Sequence, residues 1–316
     1  GINTMKEKIT LSLDQHENAR HGEEIFPLQK YVTPLWKEYP YVTAHWHEEA
    51  EFTRIEKGSC TYQIHLETYD VEEGDLIFIP PAVLHAISNE KEECMQSETY
   101  VFHMDFLGAK AADICAIRYL NPLMNQKLIP PFVIKKGHPL YEKAADLFED
   151  INTEYDKKTP GYEIAIKSYL LQFVAALIPY CTRNTEADAI LTEHAKKLKE
   201  VLSYIDAHYM EELTISGLAG ICFFSEYYFM RFFKKYMGMS CVQYIKNVRL
   251  ERAADQFENG ETNTLEVALS CGFSNLSYFH REFKKKYGMT PKRFISLSAR
   301  AADFHEIVNN YHFYDS

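Results

Sequence analysis

One segment occurs twice in this sequence, and the repetition limits what the C-terminal third can fold into. Ser225–Ser240 reads SEYYFMRFFKKYMGMS, and Asn275–Thr290 reads NLSYFHREFKKKYGMT. At a shift of 50, Tyr228, Phe229, Arg231, Phe233, Lys234, Lys235, Gly238 and Met239 recur as Tyr278, Phe279, Arg281, Phe283, Lys284, Lys285, Gly288 and Met289. Upstream the shift is 49, pairing Ala219 with Ala268 and Phe224 with Phe273. A fixed period of this kind marks a repeated supersecondary unit. In Val267–Pro291 the unit reads as a helix, a turn at Gly272 and a second helix closed by Gly288. Ala268 is small enough for a close helix crossing, and Gly272 suits a left-handed turn. Phe279 and Phe283, four apart, face a core beside Tyr278, leaving His280, Arg281, Lys284 and Lys285 for other faces.

The stretch from about Ala195 to Leu297 resembles the double helix-turn-helix domain of AraC-type transcription regulators. The resemblance rests on Ala268, Gly272-Phe273, Tyr278-Phe279, Phe283-Lys284 and Gly288-Met289-Thr290-Pro291. One departure is Phe223, which occupies in the first copy the turn position held by Gly272 in the second. The resemblance implies double-stranded DNA as a partner, with each second helix entering a major groove about one helical turn, ~34 Å, from the other. On the first of these helices Tyr227, Met230 and Arg231 project away from Phe229 and Phe233. On the second, Leu276, Ser277, His280 and Arg281 do the same. Arg231 and Arg281 suit bidentate guanine contacts, and Met230 and Leu276 suit thymine methyls. Lys234, Lys235, Lys284 and Lys285 suit phosphates, or serve as a solvated helix end where cations favour the dipole. The competing account is a helical repeat with a solvated basic face.

Charge is distributed in keeping with this reading. The net charge of −11 opposes DNA binding for the chain as a whole. Glu193–Arg300, however, holds 16 basic and 12 acidic residues, a balance of +4, while the remainder carries −15. A cationic DNA-binding half beside an acidic partner keeps the latter off the phosphate backbone. Seven cysteines, odd in number and never spaced CxxC, argue for a reducing cytoplasm and against a disulfide framework or zinc finger. No apolar run reaches membrane-spanning length, and GINTMKEKIT holds no secretory hydrophobic region. A cytoplasmic protein with no membrane partner is expected.

Residues up to about 135 read as β structure. Glu51–Ile55, Cys60–Leu66, Asp75–Ile79 and Thr99–Phe106 are short strand-like pieces separated by turns at Lys57-Gly58, Glu73-Gly74 and Pro80-Pro81, the pattern of a barrel or sandwich. Within them, His45-x-His47-x3-Glu51-x6-Gly58 is followed by Gly74-x5-Pro80-x-Ala82-x2-His85-x3-Asn89. Both segments resemble the two motifs of cupin barrels, with Tyr39 and Ala82 standing where the family has glycine. Strand alternation points His45 and His47 to one side with Glu51 in the same parity, and His85 comes from a facing strand. The four form a candidate set for a divalent transition metal. The alternative is that they line an effector pocket without metal, hydrogen-bonded to each other or to a small molecule such as a sugar. Trp36 and Trp46, with Tyr41, Tyr62 and Phe78, are either stacking surfaces for such a ligand or barrel core.

Helices follow. Tyr141–Tyr155 places Ala144, Leu147, Phe148, Ile151 and Tyr155 on one face, and Pro160-Gly161 breaks the chain. Tyr162–Pro179 carries an apolar stripe through Ile166, Tyr169, Leu170, Phe173, Val174 and Leu177. That stripe either packs on the barrel or, by family resemblance, forms a homodimer seam. Thr182–Ala189 is polar and reads as a linker. Thr214, Ser225 and Thr264 are candidate N-caps. Val242–Phe257 joins the two copies and carries Lys246, Arg249 and Arg252, placed near phosphates or on a solvated face.

The expected class is therefore α+β. A cupin-like effector-sensing β-barrel (1–136) precedes a helical connector (137–189), an all-α double helix-turn-helix domain (190–297) and a tail (298–316) with clusters at Phe304–Val308 and Tyr311–Tyr314. The expected function is that of an effector-responsive regulator rather than an enzyme, with activation and an RNA polymerase partner implied by the resemblance alone. The competing class is a cupin metalloenzyme, a dioxygenase or isomerase, with a helical appendage. The doubled helix-turn-helix has no place in that account.

Overall fold

A computed structural model of the chain describes residues 22–35, 41–89, 91 and 93–299. Trp36, Tyr39 and the two tail clusters lie outside these residues. The chain forms two compact units, divided at Lys196 and Lys197.

The N-terminal unit is built on two antiparallel sheets. β1 (Leu28–Leu35), β8 (Met95–Phe102), β3 (Ala50–Lys57), β6 (Leu76–Ile79) and β10 (Val133–Ile134) pair in that order. The second sheet runs β2 (Tyr41–His45), β7 (His85–Ser88), β4 (Ser59–Ile64) and β5 (Glu67–Glu72). Period-two alternation buries both faces of the larger sheet. Ala50, Phe52, Leu76, Phe78, Tyr100 and Phe102 point one way, into a core shared with helices. Ile55, Ile77, Ile79 and Met95 point the other way, meeting Tyr62, Ile64 and Val71 of the second sheet.

The helical side of the larger sheet is covered by α1 (Tyr141–Lys157) and α2 (Tyr162–Leu177). Phe173 of α2 stacks on Phe52 with ring centroids 4.0 Å apart and meets Phe78 edge-on at 5.5 Å. The α2 stripe of Ile166, Leu170, Phe173, Val174 and Leu177 is thus intramolecular core. A second apolar row on the same helix remains open, with Ile164 76% and Leu171 37% exposed. The polar stretch after α2 is not simply a linker. Thr182–Arg183 forms a short strand, β11, antiparallel to β9 (Leu128–Ile129), and helix α3 (Glu186–His208) follows. No helix among the described residues is long and apolar enough to cross a membrane.

The C-terminal unit contains the repeat. α4 (Ile215–Ile221) and α5 (Glu226–Met237) form the first helix-turn-helix, α6 (Cys241–Glu258) joins the copies, and α7 (Thr264–Ser270) and α8 (Leu276–Tyr287) form the second. Thr214 and Ser225 accept the Gly217 and Tyr228 amides and so cap α4 and α5. α7 is capped by Asn263 rather than Thr264, and α8 by Asn275. Phe279 and Phe283 are fully buried with Phe257, Ala268 and Phe294. Ala219 and Ala268 are both buried at the close helix approach.

The two turns differ in their physics. Gly272 has φ +88°, and a Cβ there would stand 2.9 Å from both Arg249 Nε and the Tyr209 carbonyl oxygen, so only glycine fits. Phe223 adopts the same left-handed region, at φ 55°, with its side chain 93% exposed. Burial offsets none of its backbone strain. Gly272→Ala should therefore lower stability by about 1–3 kcal/mol, whereas Phe223→Gly should leave it unchanged or raise it by up to about 1 kcal/mol. Urea unfolding of the full chain followed by far-ultraviolet circular dichroism checks both.

Candidate functional site

Between the two sheets, His45, His47, Glu51 and His85 bring one ligating atom each to within 4.8 Å of one another. Strand pairing does this: His45 lies opposite His85 in the β2–β7 ladder, where the register shifts between Val42 and His45, and Glu51 lies on β3. Irregularities of this kind re-aim side chains. Ala82, standing where the resemblance has glycine, takes φ +60°, and its amide donates to the His47 carbonyl at 2.8 Å. The strained turn before His85 is thereby tied to the segment carrying His47.

The backbone determines which face each imidazole presents. The Nδ1 atoms of His45, His47 and His85 lie 2.9, 3.0 and 2.8 Å from the carbonyl oxygens of Thr43, Glu49 and Val83. A carbonyl only accepts, so each Nδ1 carries a proton and each ring turns its Nε2 toward the cluster. His47 Nε2 is 2.9 Å from Glu51 Oε1, and His85 Nε2 is 3.5 Å from the same oxygen. The His85 Nε2 atom is buried with no hydrogen-bond partner. Burial, followed by the nearby His85 and His47, lowers the His45 pKa to about 3. For Glu51, burial works against ionisation, but His85 and the His47 hydrogen bond outweigh it and hold the carboxyl well below its usual range. Lone pairs and a carboxylate directed at one point repel unless a proton or a cation sits among them. Three imidazole nitrogens and one carboxylate suit a divalent transition metal, and backbone acceptors on the remote nitrogens are the outer shell such sites use.

Trp46 lies between His45 and His47 in sequence, is buried, and is not among the four converging groups. Three polar residues of the inter-sheet space escaped the sequence analysis. Thr53 and Thr99, partners in the β3–β8 ladder, share a buried hydroxyl hydrogen bond of 2.7 Å. Ser97 neighbours the phenol of the fully buried Tyr62, whose pKa burial pushes well above its usual value. The parity of Thr53 with Glu51 was the available signal.

On the C-terminal unit, Tyr227, Met230, Arg231, Lys234 and Lys235 of α5 are all exposed. Leu276, Ser277, Arg281, Lys284 and Lys285 of α8 are exposed too, and His280 is half-buried against the edge of Phe279. Both arginines are braced by tyrosines. Arg231 Nη1 donates to the Tyr227 hydroxyl at 3.2 Å, and Arg281 lies 5.1 Å over the Tyr278 ring. Arg249 and Arg252 are committed elsewhere. Arg249 donates to the carbonyls of Tyr209 and Glu211 at 2.7 and 2.8 Å, and Arg252 pairs with Asp206. Both therefore serve the domain's own packing. Lys286, which sequence analysis passed over, pairs with Glu251 at 3.0 Å.

Known families match both units. The AraC-like ligand binding domain matches residues 37–174, and a helix-turn-helix domain family matches residues 218–296. The uncharacterized HTH-type transcriptional regulator YdeC of Bacillus subtilis (strain 168) is 26% identical over 91% of this chain and 98% of its own length. The HTH-type transcriptional activator RhaR of Salmonella schwarzengrund is 22% identical, over 87% of this chain and 95% of its own. The melibiose operon regulatory protein of Escherichia coli (strain K12) is 20% identical, over 81% and 84%. With an AraC-like ligand-binding domain followed by a doubled helix-turn-helix, the chain belongs to the AraC family of transcription regulators.

Proposed function

We propose that this regulator is a cytoplasmic, homodimeric activator whose N-terminal unit senses a small hydroxylated metabolite, such as a sugar, at a metal held by His45, His47, Glu51 and His85. The observation that carries the reading is the convergence of three Nε2 atoms and one carboxylate, with every Nδ1 anchored to a backbone carbonyl. A divalent transition metal bound there would supply a Lewis-acidic point for a ligand hydroxyl or carboxylate. The relatives named for activation and for the melibiose operon support the activator and sugar parts. The cluster is read as a sensor rather than an active site because the chain's output lies in its DNA-binding half, from which an activator would engage RNA polymerase. Protein purified without added metal or a histidine tag should carry close to one equivalent of a transition metal by elemental analysis, and His47→Ala should lose it together with the effector response. Less than a tenth of an equivalent, with a normal response in His47→Ala, would defeat both the metal and the pocket.

The DNA-reading half of the proposal assigns base contacts to Tyr227, Met230, Arg231, Leu276, Ser277, His280 and Arg281. Phosphate contacts fall to Lys234, Lys235, Lys284 and Lys285. Arg281→Ala should cost about 1–3 kcal/mol of operator affinity and relax selectivity at one or two base pairs. Lys285→Ala should weaken all sequences alike and flatten the salt dependence. Binding titrations against operator and random duplexes at several salt concentrations separate the two.

For assembly, the open row of α2 is the candidate seam. Ile164 and Leu171 are exposed there with Ser168 and Ala175 between and beyond them, a spacing that returns to one helix face. Ile164→Asp with Leu171→Asp should yield a folded monomer with weak half-site binding, read by sedimentation and gel shift. An unchanged dimer would remove α2 from the interface. Phe173→Asp tests something different: with Phe173 stacked on Phe52, it should unfold the unit.

A further inference from the structure

The two recognition helices share a buried aromatic pair but differ at two repeat positions one turn apart. In α5, Phe232 packs against Phe224 and Tyr236, with ring centroids 5.1 and 5.2 Å away. At the equivalent place in α8 stands Glu282, largely buried, with its side chain 11% exposed. Its Oε2 accepts from Lys246 Nζ of α6 at 2.5 Å. One turn further along, Lys286 replaces Tyr236 and pairs with Glu251 of α6. α8 thus makes two ion pairs to α6 from positions that α5 fills with aromatic rings.

A buried carboxylate is a costly way to fill a position that an aromatic ring fills in the other copy. Glu282 does something that Phe232 does not. Its second oxygen, Oε1, lies 3.5 Å from Nε of Arg281, the preceding residue, whose side chain is otherwise exposed. With Lys246 holding Oε2, the carboxylate is fixed in orientation and Oε1 restrains the Nε edge of the guanidinium. Tyr278 braces the same group from its ring face. The Nη1/Nη2 end is left outward, and that end matches the O6/N7 edge of a guanine. Arg231 is held at the opposite place, through Nη1 to Tyr227, leaving its Nε/Nη2 edge.

We infer that Glu282 is a positioning residue for DNA readout: anchored by Lys246, it sets the edge that Arg281 presents to a base, and so fixes the specificity of the second recognition helix separately from the first. The inference rests on Arg281 reading a base. Simple electrostatics predicts a different outcome, since removing a carboxylate beside DNA tightens binding to every sequence without altering preference.

The test compares Glu282→Gln, Arg281→Ala and the double variant in the full chain, using operators selected from random duplexes and titrations at fixed salt. Glu282→Gln should reduce discrimination about three- to tenfold, only at the base pairs that Arg281→Ala relaxes, and add nothing to Arg281→Ala in the double variant. Preference at those pairs should persist in the Lys246→Met/Glu282→Gln/Arg281→Ala series no further than in Arg281→Ala alone. Should Glu282→Gln fail to fold, Lys246→Met with Glu282→Leu removes the carboxylate while replacing the pair with apolar groups of similar size, and the same loss is expected. Unchanged discrimination at Arg281-dependent pairs overturns the positioning role and leaves base reading by Arg281 standing. No relaxation in Arg281→Ala overturns the base-reading assignment and this inference with it.

Discussion

Adjacent residues of one strand, Glu51 and Phe52, tie the histidine–carboxylate cluster to the packing of the N-terminal unit. Phe52 points out of the larger sheet into α1 and α2, where Phe173 stacks on it. Glu51 points into the inter-sheet space beside three imidazoles. The pleat forbids moving one without the other, because a slip of one residue exchanges the faces. Burying α2 on the sheet therefore also sets the position of a carboxylate that would be costly to bury alone. The imidazoles offset that cost only while their Nε2 atoms face it, and the carbonyls of Thr43, Glu49 and Val83 keep them so.

The DNA-binding unit reaches order by the opposite route, through local repetition. Each copy closes its turn with a left-handed residue, caps its recognition helix with a side-chain oxygen and buries two phenylalanines four apart. Duplication supplies two similar helices. What makes them unequal is the set of positions where the copies diverge, and the main divergences are structural before they are functional: Phe223 against Gly272, Phe232 against Glu282, Tyr236 against Lys286. Gly272 is enforced by Arg249, whose guanidinium occupies the space a Cβ would need while it holds the Tyr209 and Glu211 carbonyls. An arginine on a helix that looks solvated in sequence thus decides which residue the neighbouring turn can carry.

How much was legible in the sequence follows from how far apart the partners lie. Turns, caps and the exposed faces of the recognition helices depend on neighbours within a few residues, so spacing revealed them, apart from the one-residue error between Thr264 and Asn263. The His-x-His parity was equally local. His85 needed the β2–β7 pairing, and only the borrowed cupin pattern suggested it. α2 defeated periodicity for a physical reason: it is apolar on both sides, so the pattern could not say which side meets the sheet. Thr182–Arg183 looked like linker because its partner, Leu128–Ile129, is remote in sequence. The partners of Arg249 and Arg252 were invisible because the Tyr209 and Glu211 carbonyls and Asp206 lie about 40 residues away in sequence.

Polarity inside the two units follows a common rule. Buried polar groups here are of two kinds, those that satisfy each other and those that orient a neighbour. Thr53 and Thr99 satisfy each other across a ladder and orient nothing exposed. Glu51 and Glu282 are different: Glu51 turns one oxygen, Oε1, to both His47 and His85, whereas Glu282 is held by Lys246 on Oε2 and faces Arg281 with Oε1. An apolar residue would fill either space at lower desolvation cost. Retaining the charge fixes a direction, toward the converging Nε2 atoms in one unit and along the Arg281 guanidinium in the other. Glu282, held on one oxygen by Lys246, is a rigid acceptor on the other, and that rigidity is what a binding site requires of the groups behind it.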